Sequence, residues 1–295
     1  MKEENQKVKI VMDFDGTLSY GRRKDGKKNS SIASLRDGGY LSEYYDKAAH
    51  ALHDKYYPIE KDYTLSHDEK LSAMHEWWDI HSQLLIDSGL TSEIMERAGR
   101  SHYVQLRVGI KEFFNFLKEN NIDAYVFTAG RRDLIYYTLL EEGIKIDEDH
   151  IIGNYFIYAT EADVKASEAN EENIKIKVGD AIDYNRPQIT SMDKDDSVIL
   201  NKDNHMYDGI RDDYATASTT IILGDGEGDT SMVKNRENNN AKENIFRIGF
   251  FNMSPDEAHY AERLARFKSI YDVVLPADAS LSEVAEIIKR NKTIL

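Results

Sequence analysis

Residues 8–18 read VKIVMDFDGTL, and this stretch decides the fold. The mostly apolar run from Val8 to Met12 leads into two aspartates two positions apart, Asp13 and Asp15, and then into Gly16 and Thr17. A run of this kind reads as a buried parallel strand. Open α/β sheets place their chemistry just beyond the carboxyl ends of such strands. Asp13 and Asp15 are therefore expected together at a strand tip, with Gly16 letting the chain turn sharply. Two carboxylates so close repel each other. They coexist when a cation sits between them or when one holds a proton.

The rest of the chain must supply partners for that tip. Its 295 residues suffice for one large domain or two modules. With 41% hydrophobic and 31% charged residues, it has the balance of a soluble protein with a real core. A net charge of −15 argues against a broad nucleic-acid or anionic-membrane surface. An anionic small substrate would need its charge met locally, by a metal, a lysine or backbone donors. The absence of cysteine excludes disulfides, thiolate metal sites and cysteine nucleophiles. No apolar run approaches about 18 residues and no signal pattern opens the chain, so a cytoplasmic location is expected.

Outward from the first strand, residues 19–40 are polar and Gly-rich and read as a loop or flap. From Leu41 to about Tyr103 the pattern is helical. Tyr44, Ala48, Leu52 and Tyr56 fall on one face, and Leu71, Met74, Trp78 and Leu85 follow similar spacing. This segment reads as a helical module inserted after the first strand. Strands and helices then alternate: a helix over 109–120, a strand at Ala124–Thr128, and a helix over 131–142 stopped by Gly143. Ile151–Tyr158 is strand-like, and 159–195 is an acidic excursion with one or two hairpin strands. Thr219–Gly224 is a buried strand, 235–244 a polar loop and Ile245–Phe250 a strand. Pro255–Arg266 reads as a helix, Tyr271–Leu275 as a strand and Ser280–Lys289 as a closing helix. Such alternation indicates an α/β fold, a mostly parallel sheet covered on both faces.

Three further sites match the opening motif. Phe127-Thr128-Ala129-Gly130 ends a strand with a hydroxyl and backbone N–H groups before a helix, which suits an oxyanion, although an N-capping threonine would look the same. Leu223-Gly224-Asp225-Gly226-Glu227-Gly228-Asp229 presents three acids on a glycine-rich turn, a hard-oxygen set that suits Mg²⁺. Lys202 follows the apolar Val198-Ile199-Leu200 and precedes the acidic turn's strand; only that position lifts it above a surface charge.

Together these motifs resemble the haloacid dehalogenase-like (HAD) phosphohydrolases, with DFDGTL as first motif, FTAG as second, the Lys202 region as third and GDGEGD as fourth. Further stretches are similar to the cytosolic pyrimidine 5'-nucleotidases of the cytosolic 5'-nucleotidase III type. They are KYYPIE (55–60), EKLSAMHEWW (69–78), IILGDGEGD (221–229), IGFFN (248–252) and YDVVL (271–275). The resemblance implies a HAD-like Rossmannoid core at 1–35 and 104–295, with a helical cap at 36–103 closing over the nucleoside. The chain departs from that family at four places. Gly16 stands for a methionine, Thr128 for a serine and His81 for a small substrate-touching serine, and the cysteines of the flap are missing. The 159–195 excursion is also longer than the family leads one to expect.

The resemblance further implies Mg²⁺-dependent hydrolysis of a nucleoside 5'-monophosphate, UMP or CMP, with transfer to another nucleoside as a second activity. Asp13 is the expected nucleophile and Asp15 the acid and base. The metal is expected on Asp13, Asp225 and the Asp15 carbonyl, with Asp229 in support. Lys202, Thr128, Ala129 and Gly130 would hold the phosphoryl group. Glu60 matches the base-reading glutamate, and His81 falls at a substrate-contacting position. An ionised Glu60 accepts from cytosine N4 or uracil N3–H, but equally from the two donors of a guanine edge. 7-Methylguanosine monophosphate is therefore the alternative substrate, followed by another phosphate monoester. A nucleotide-binding protein without turnover is the non-enzymatic alternative. Trp77, Tyr57, Tyr56 and Trp78 could stack on the base, although helix spacing turns the last two inward. Arg131 and Arg132 read as surface charges at a helix start, ahead of a second reading as extra phosphate contacts. No nucleic-acid polymer or membrane partner is expected, and the chain is expected to be a monomer.

Overall fold

The computed structural model describes residues 7–62, 64–169, 175–233, 237–238, 241–242 and 244–291. β1 (Val8–Met12) is buried along its whole length and runs into a tight helical turn, Phe14–Leu18. Four helices follow: α1 (Ser31–Asp37), α2 (Glu43–Lys61), α3 (His67–Asp87) and α4 (Ser92–Gly99). After α5 (Ile110–Glu119) come β2 (Ile122–Arg131), α6 (Arg132–Glu141), β3 (Ile151–Asn154) and β4 (Phe156–Tyr158). α7 (Glu161–Ala169) and β5 (Ala181–Tyr184) complete the excursion, and α8 (Ser197–Leu200) and α9 (Arg211–Thr216) lead to β6 (Thr219–Gly224). The chain closes with the short β7 (Glu237–Asn238) and β8 (Ala241–Lys242), then β9 (Asn244–Phe251), α10 (Tyr260–Ile270), β10 (Val273–Pro276) and α11 (Leu281–Arg290).

Six strands form one parallel sheet in the order β10-β9-β6-β1-β2-β3. β1 is central, between β2 and β6, so its carboxyl end is flanked by the ends of both neighbours. Side chains alternate across the sheet, as the two-residue period requires. Ile10, Met12, Val126, Ile221 and Leu223 pack on one face with α5, α6 and α11. Val11, Tyr125, Phe127 and Ile222 pack on the other with Ile199 of α8 and Tyr214 of α9. Both faces are covered, which is why these strands read as continuous apolar runs.

A separate apolar cluster joins the inserted helices: Leu35, Tyr45, Ala49, Leu85, Leu90 and Met95, with Leu134 of α6. Phe156, Ala181 and Tyr184 belong to it too. The antiparallel β4–β5 pair thus packs with the helical module, and the excursion serves the cap as well as the core.

Several expectations need correction. The flap at 19–40 contains α1, capped by the Ser30 hydroxyl on the Ala33 N–H. The inward face of α2 differs in its first half: Tyr45 and Ala49 are buried, whereas Tyr44 is 71% exposed, and Tyr56 is buried as expected. The helix expected at Pro255 begins at Tyr260, after a turn. Ile151–Tyr158 breaks at Tyr155 into β3 and β4, which belong to different sheets. Much of the loop at 235–244 lies outside the described residues. Among the described residues, no helix is long and apolar enough to cross a membrane.

Candidate active site

The tips of β1 and β6 meet. Asp13 directly follows β1, and its N–H donates to the Leu223 carbonyl at 2.9 Å. The Thr17 hydroxyl donates to Asp13 Oδ2 at 3.2 Å. Gly16 takes φ +86°, and a Cβ there would lie 2.2 Å from Asp225 Oδ2, so glycine lets the two acidic tips approach. Arg107, fully buried, braces this turn by donating to the Gly16 and Thr17 carbonyls, each at 2.8 Å, and to Asn252 Oδ1 at 3.1 Å. Asn252 in turn donates to Gly16 O and Asp225 Oδ2, each at 2.8 Å.

Carboxylate oxygens of Asp13, Asp225 and Asp229 all lie within 4.8 Å of one another. Lys194 Nζ enters this cluster, donating to Asp13 Oδ1 and, at 2.8 Å, to Asp229 Oδ1. Burial pushes the Asp13 carboxyl well above its ordinary value; Lys194 opposes this, and Asp229 and Asp225 add to it. Asp225 is pushed up to about 6, by burial first and then by Asp229. Burial alone would lower Lys194, but Asp13 and Asp229 outweigh it, and the ammonium stays charged. Three carboxylates thus face one ammonium, a deficit of two positive charges that a divalent cation matches. The donor set is all hard oxygen, as Mg²⁺ prefers. Asp229 Oδ2 already accepts the N–H groups of Asp225 and Gly226, each at 2.8 Å, which suits a supporting role.

Asp15 is held apart from this cluster. Its carboxylate accepts the Ser31 N–H and the Ser31 hydroxyl, each at 2.7 Å. Burial raises its pKa, with the two Ser31 bonds pulling the other way. A raised, positioned carboxyl is what a proton donor needs. Thr128 is buried on β2, and the Gly130 N–H donates to the Thr128 Oγ1 at 2.9 Å. That bond occupies one expected oxyanion donor and leaves the Thr128 hydroxyl proton to point elsewhere.

The model of one family, described as "Pyrimidine 5'-nucleotidase (UMPH-1)", matches residues 16–292. This chain belongs to the pyrimidine 5'-nucleotidase family. It is 29% identical over 283 residues to a human 7-methylguanosine phosphate-specific 5'-nucleotidase, covering 96% of this chain and 84% of the relative. A putative cytosolic 5'-nucleotidase 3 of Caenorhabditis elegans is 25% identical, over 96% of this chain and 68% of that one. Among solved structures, cytosolic 5'-nucleotidase IIIB bound to cytidine superposes with TM-score 0.73 at 24% identity, over 95% of this chain and 86% of that one. A phospho-aspartyl intermediate analogue of phosphoserine phosphatase superposes with TM-score 0.50 at 16% identity, over 96% and 99%. These likenesses carry the HAD-like fold. With the family established, the chain is a phosphoric monoester hydrolase of the 5'-nucleotidase class.

Within this nucleotidase, Asp13, Asp15, Asp225 and Asp229 stand at or beside the strand tips as expected. Lys202 does not: it is exposed, on the turn after α8. The apolar Val198-Ile199-Leu200 that recommended it is not a strand but the short α8, whose Ile199 packs under the sheet. The lysine that contacts Asp13 and Asp229 is Lys194, which sequence reasoning missed. It sits in Thr190-Ser191-Met192-Asp193-Lys194-Asp195, a polar loop with no apolar strand before it, so nothing local marked it.

In the cap, Glu60 accepts a bond from the Ser191 hydroxyl at 2.6 Å, which brings α2 to the loop carrying Lys194. His81 is turned into the interior of the helical module. It is 4% exposed, shares a 3.1 Å hydrogen bond with the Tyr45 hydroxyl and stacks with Trp78. Rings of Tyr57, His53, Trp77, Trp78 and His81 follow one another between α2 and α3. Arg131 is not a surface charge. It is buried, donating to Gln188 Oε1 at 2.9 Å and Ser82 Oγ at 2.7 Å.

Proposed function

We propose that this nucleotidase hydrolyses pyrimidine nucleoside 5'-monophosphates through a phosphoryl-aspartate on Asp13, with Mg²⁺ as cofactor. The observation that carries this reading is the set of buried Asp13 and Asp229 with half-buried Asp225 around Lys194 at adjacent strand tips. Asp13 and Asp225, supported by Asp229, would hold the metal; when bound, it supplies positive charge that offsets carboxylate and phosphate repulsion. An Asp13 oxygen attacks phosphorus, and the bond from phosphorus to the ribose 5'-oxygen breaks. Asp15 gives its proton to that oxygen and then takes one from the water that cleaves the aspartyl-phosphate, releasing phosphate and restoring Asp13. Lys194 steadies the nucleophile and the phosphoryl oxygens as a compact point charge. The Thr128 hydroxyl and the Ala129 N–H complete the cradle, with Gly130 allowing close approach. The same intermediate would permit transfer to a nucleoside hydroxyl in place of water.

Glu60 is the proposed reader of the base. Burial alone would raise its carboxyl, but Lys61, the Ser191 hydroxyl, Lys28 and His53 together hold it below its ordinary value. An ionised Glu60 accepts and never donates, which favours cytosine N4 or uracil N3–H over adenine, whose amino group sits beside an acceptor. A second reading is 7-methylguanosine monophosphate. The names of several relatives favour it, and so does the aromatic run of the cap, since a positively charged base gains from stacked rings. A cytosolic location and monomeric state accord with this reading.

Phosphate release from CMP, UMP, 7-methylguanosine monophosphate, AMP and phosphoserine, with Mg²⁺ and with chelator, tests the proposal. The expected result is turnover of CMP and UMP, little on AMP and phosphoserine, and loss with chelator; turnover of 7-methylguanosine monophosphate in place of CMP and UMP selects the second reading. Activity indifferent to chelator, or equal on AMP and CMP, contradicts it.

A further inference from the structure

Ser191 stands between the cap and the acidic turn. Its hydroxyl donates to Glu60 Oε1 at 2.6 Å. Its carbonyl packs on Gly228, where a Cβ would come within 2.6 Å of it, so only glycine lets the two segments touch. Gly228 belongs to the turn bearing Asp225 and Asp229, and three residues beyond Ser191 the chain places Lys194 on Asp13.

The segment around Ser191 is fixed from both sides. On the core side, Asn154 accepts the Ile189 N–H at 2.8 Å and donates to the Ile189 carbonyl at 2.7 Å. On the cap side, Trp78 Nε1 donates to the same carbonyl at 2.8 Å, and His75 lies 2.9 Å from Asp193. Asp193 accepts both the N–H and the hydroxyl of Thr190, at 2.6 and 2.7 Å, which closes the turn under Ser191. Glu60, by contrast, is a long side chain. Lys61 Nζ lies 3.7 Å from Oε2 and is 53% exposed. A glutamate held only by such a cation would lose rotamer freedom on meeting a base, and that ordering opposes binding.

We propose that Ser191 is a positioning residue for base recognition: its hydroxyl fixes the Glu60 carboxylate at a set place relative to Asp13, so that base and phosphate are recognised together. This rests on Glu60 as the base reader. Ser191 acts through Glu60, and a bond to a charged acceptor is a strong one.

The test compares kcat/KM for CMP, or 7-methylguanosine monophosphate if that is faster, with kcat/KM for ribose 5-phosphate, which has the same sugar and phosphate and no base. Ser191→Ala is expected to lower this ratio about tenfold, chiefly through KM for the nucleotide. Ser191→Thr, which keeps the hydroxyl, should restore most of it. In a Glu60→Ala background the same serine substitution should change the ratio by less than about twofold, because the two residues act as one unit. Should alanine destabilise the loop, Ser191→Cys, near in size and a weak donor, serves the same comparison. If Glu60→Ala lowers the ratio but Ser191→Ala does not, or lowers it equally with and without Glu60, Ser191 has no positioning role. If Glu60→Ala leaves the ratio unchanged, the base-reading role itself falls, and this proposal with it.

Discussion

At the scale of single residues, the site is governed by three carboxylates facing one ammonium. Removing that ammonium should be costly. Lys194→Ala is expected to lower kcat by about 10²–10³-fold, the usual effect of deleting one positioned charge-stabilising donor. Lys202→Ala, on an exposed turn, is expected to stay within about twofold of the parent chain. Steady-state phosphate release from one nucleotide checks both, and the opposite order would return Lys202 to the site. The aspartates were legible because each follows an apolar strand, so burial pattern and chemistry coincided at Asp13 and Asp225. Lys194 was not legible, because a polar loop carries it and its burial comes from contacts with Asp13 and Asp229, distant in sequence. Arg107 was hidden in the same way: its carbonyl partners on the Gly16–Thr17 turn meet it only in the folded chain.

At the scale of elements, the two long helices of the inserted module, α2 and α3, enclose a buried histidine. Burial first, and then Arg131 and Arg36, lower His81 from 6.5 to about 3. The folded chain therefore keeps His81 neutral where the unfolded chain binds a proton. The sign follows: this contribution to stability is fully present above about pH 6.5 and is lost as pH falls from there toward 3, at about 1.4 kcal/mol per pH unit. Urea unfolding of the parent chain and His81→Phe between pH 7 and pH 4 should show a shallower acid slope in the variant (about one proton less). Equal slopes would mean that His81 titrates alike in both states. Element types were mostly legible, but two helices misled. α1 looks like a flap because it is short, and two of its four buried residues, Ser31 and Ser34, are small and polar, which leaves Ala33 and Leu35 too little to mark an apolar stripe. α2 has two adjacent tyrosines, and the sequence pattern chose Tyr44, where packing chose Tyr45.

At the scale of the whole molecule, a parallel sheet carries the proposed reacting groups and an inserted helical module carries Glu60, the proposed reader of the base. The sheet was readable from its apolar strands, since both of its faces are covered. The joining of cap to core was not. It runs through the excursion between β4 and α8, where Gln188, Ile189, Ser191 and Asp193 bond to Ser82, Trp78, Glu60 and His75. Such contacts between polar loop residues and helix faces leave no periodic trace. The account as a whole stands on Asp13 as the group that takes the phosphoryl. The most direct measurement is phosphate release from CMP, or from whichever nucleotide is turned over fastest, by the parent chain and by Asp13→Asn, both shown to be folded by circular dichroism. The account predicts that the amide abolishes turnover, a loss of at least about 10³-fold. A rate in Asp13→Asn within about tenfold of the parent chain would contradict it.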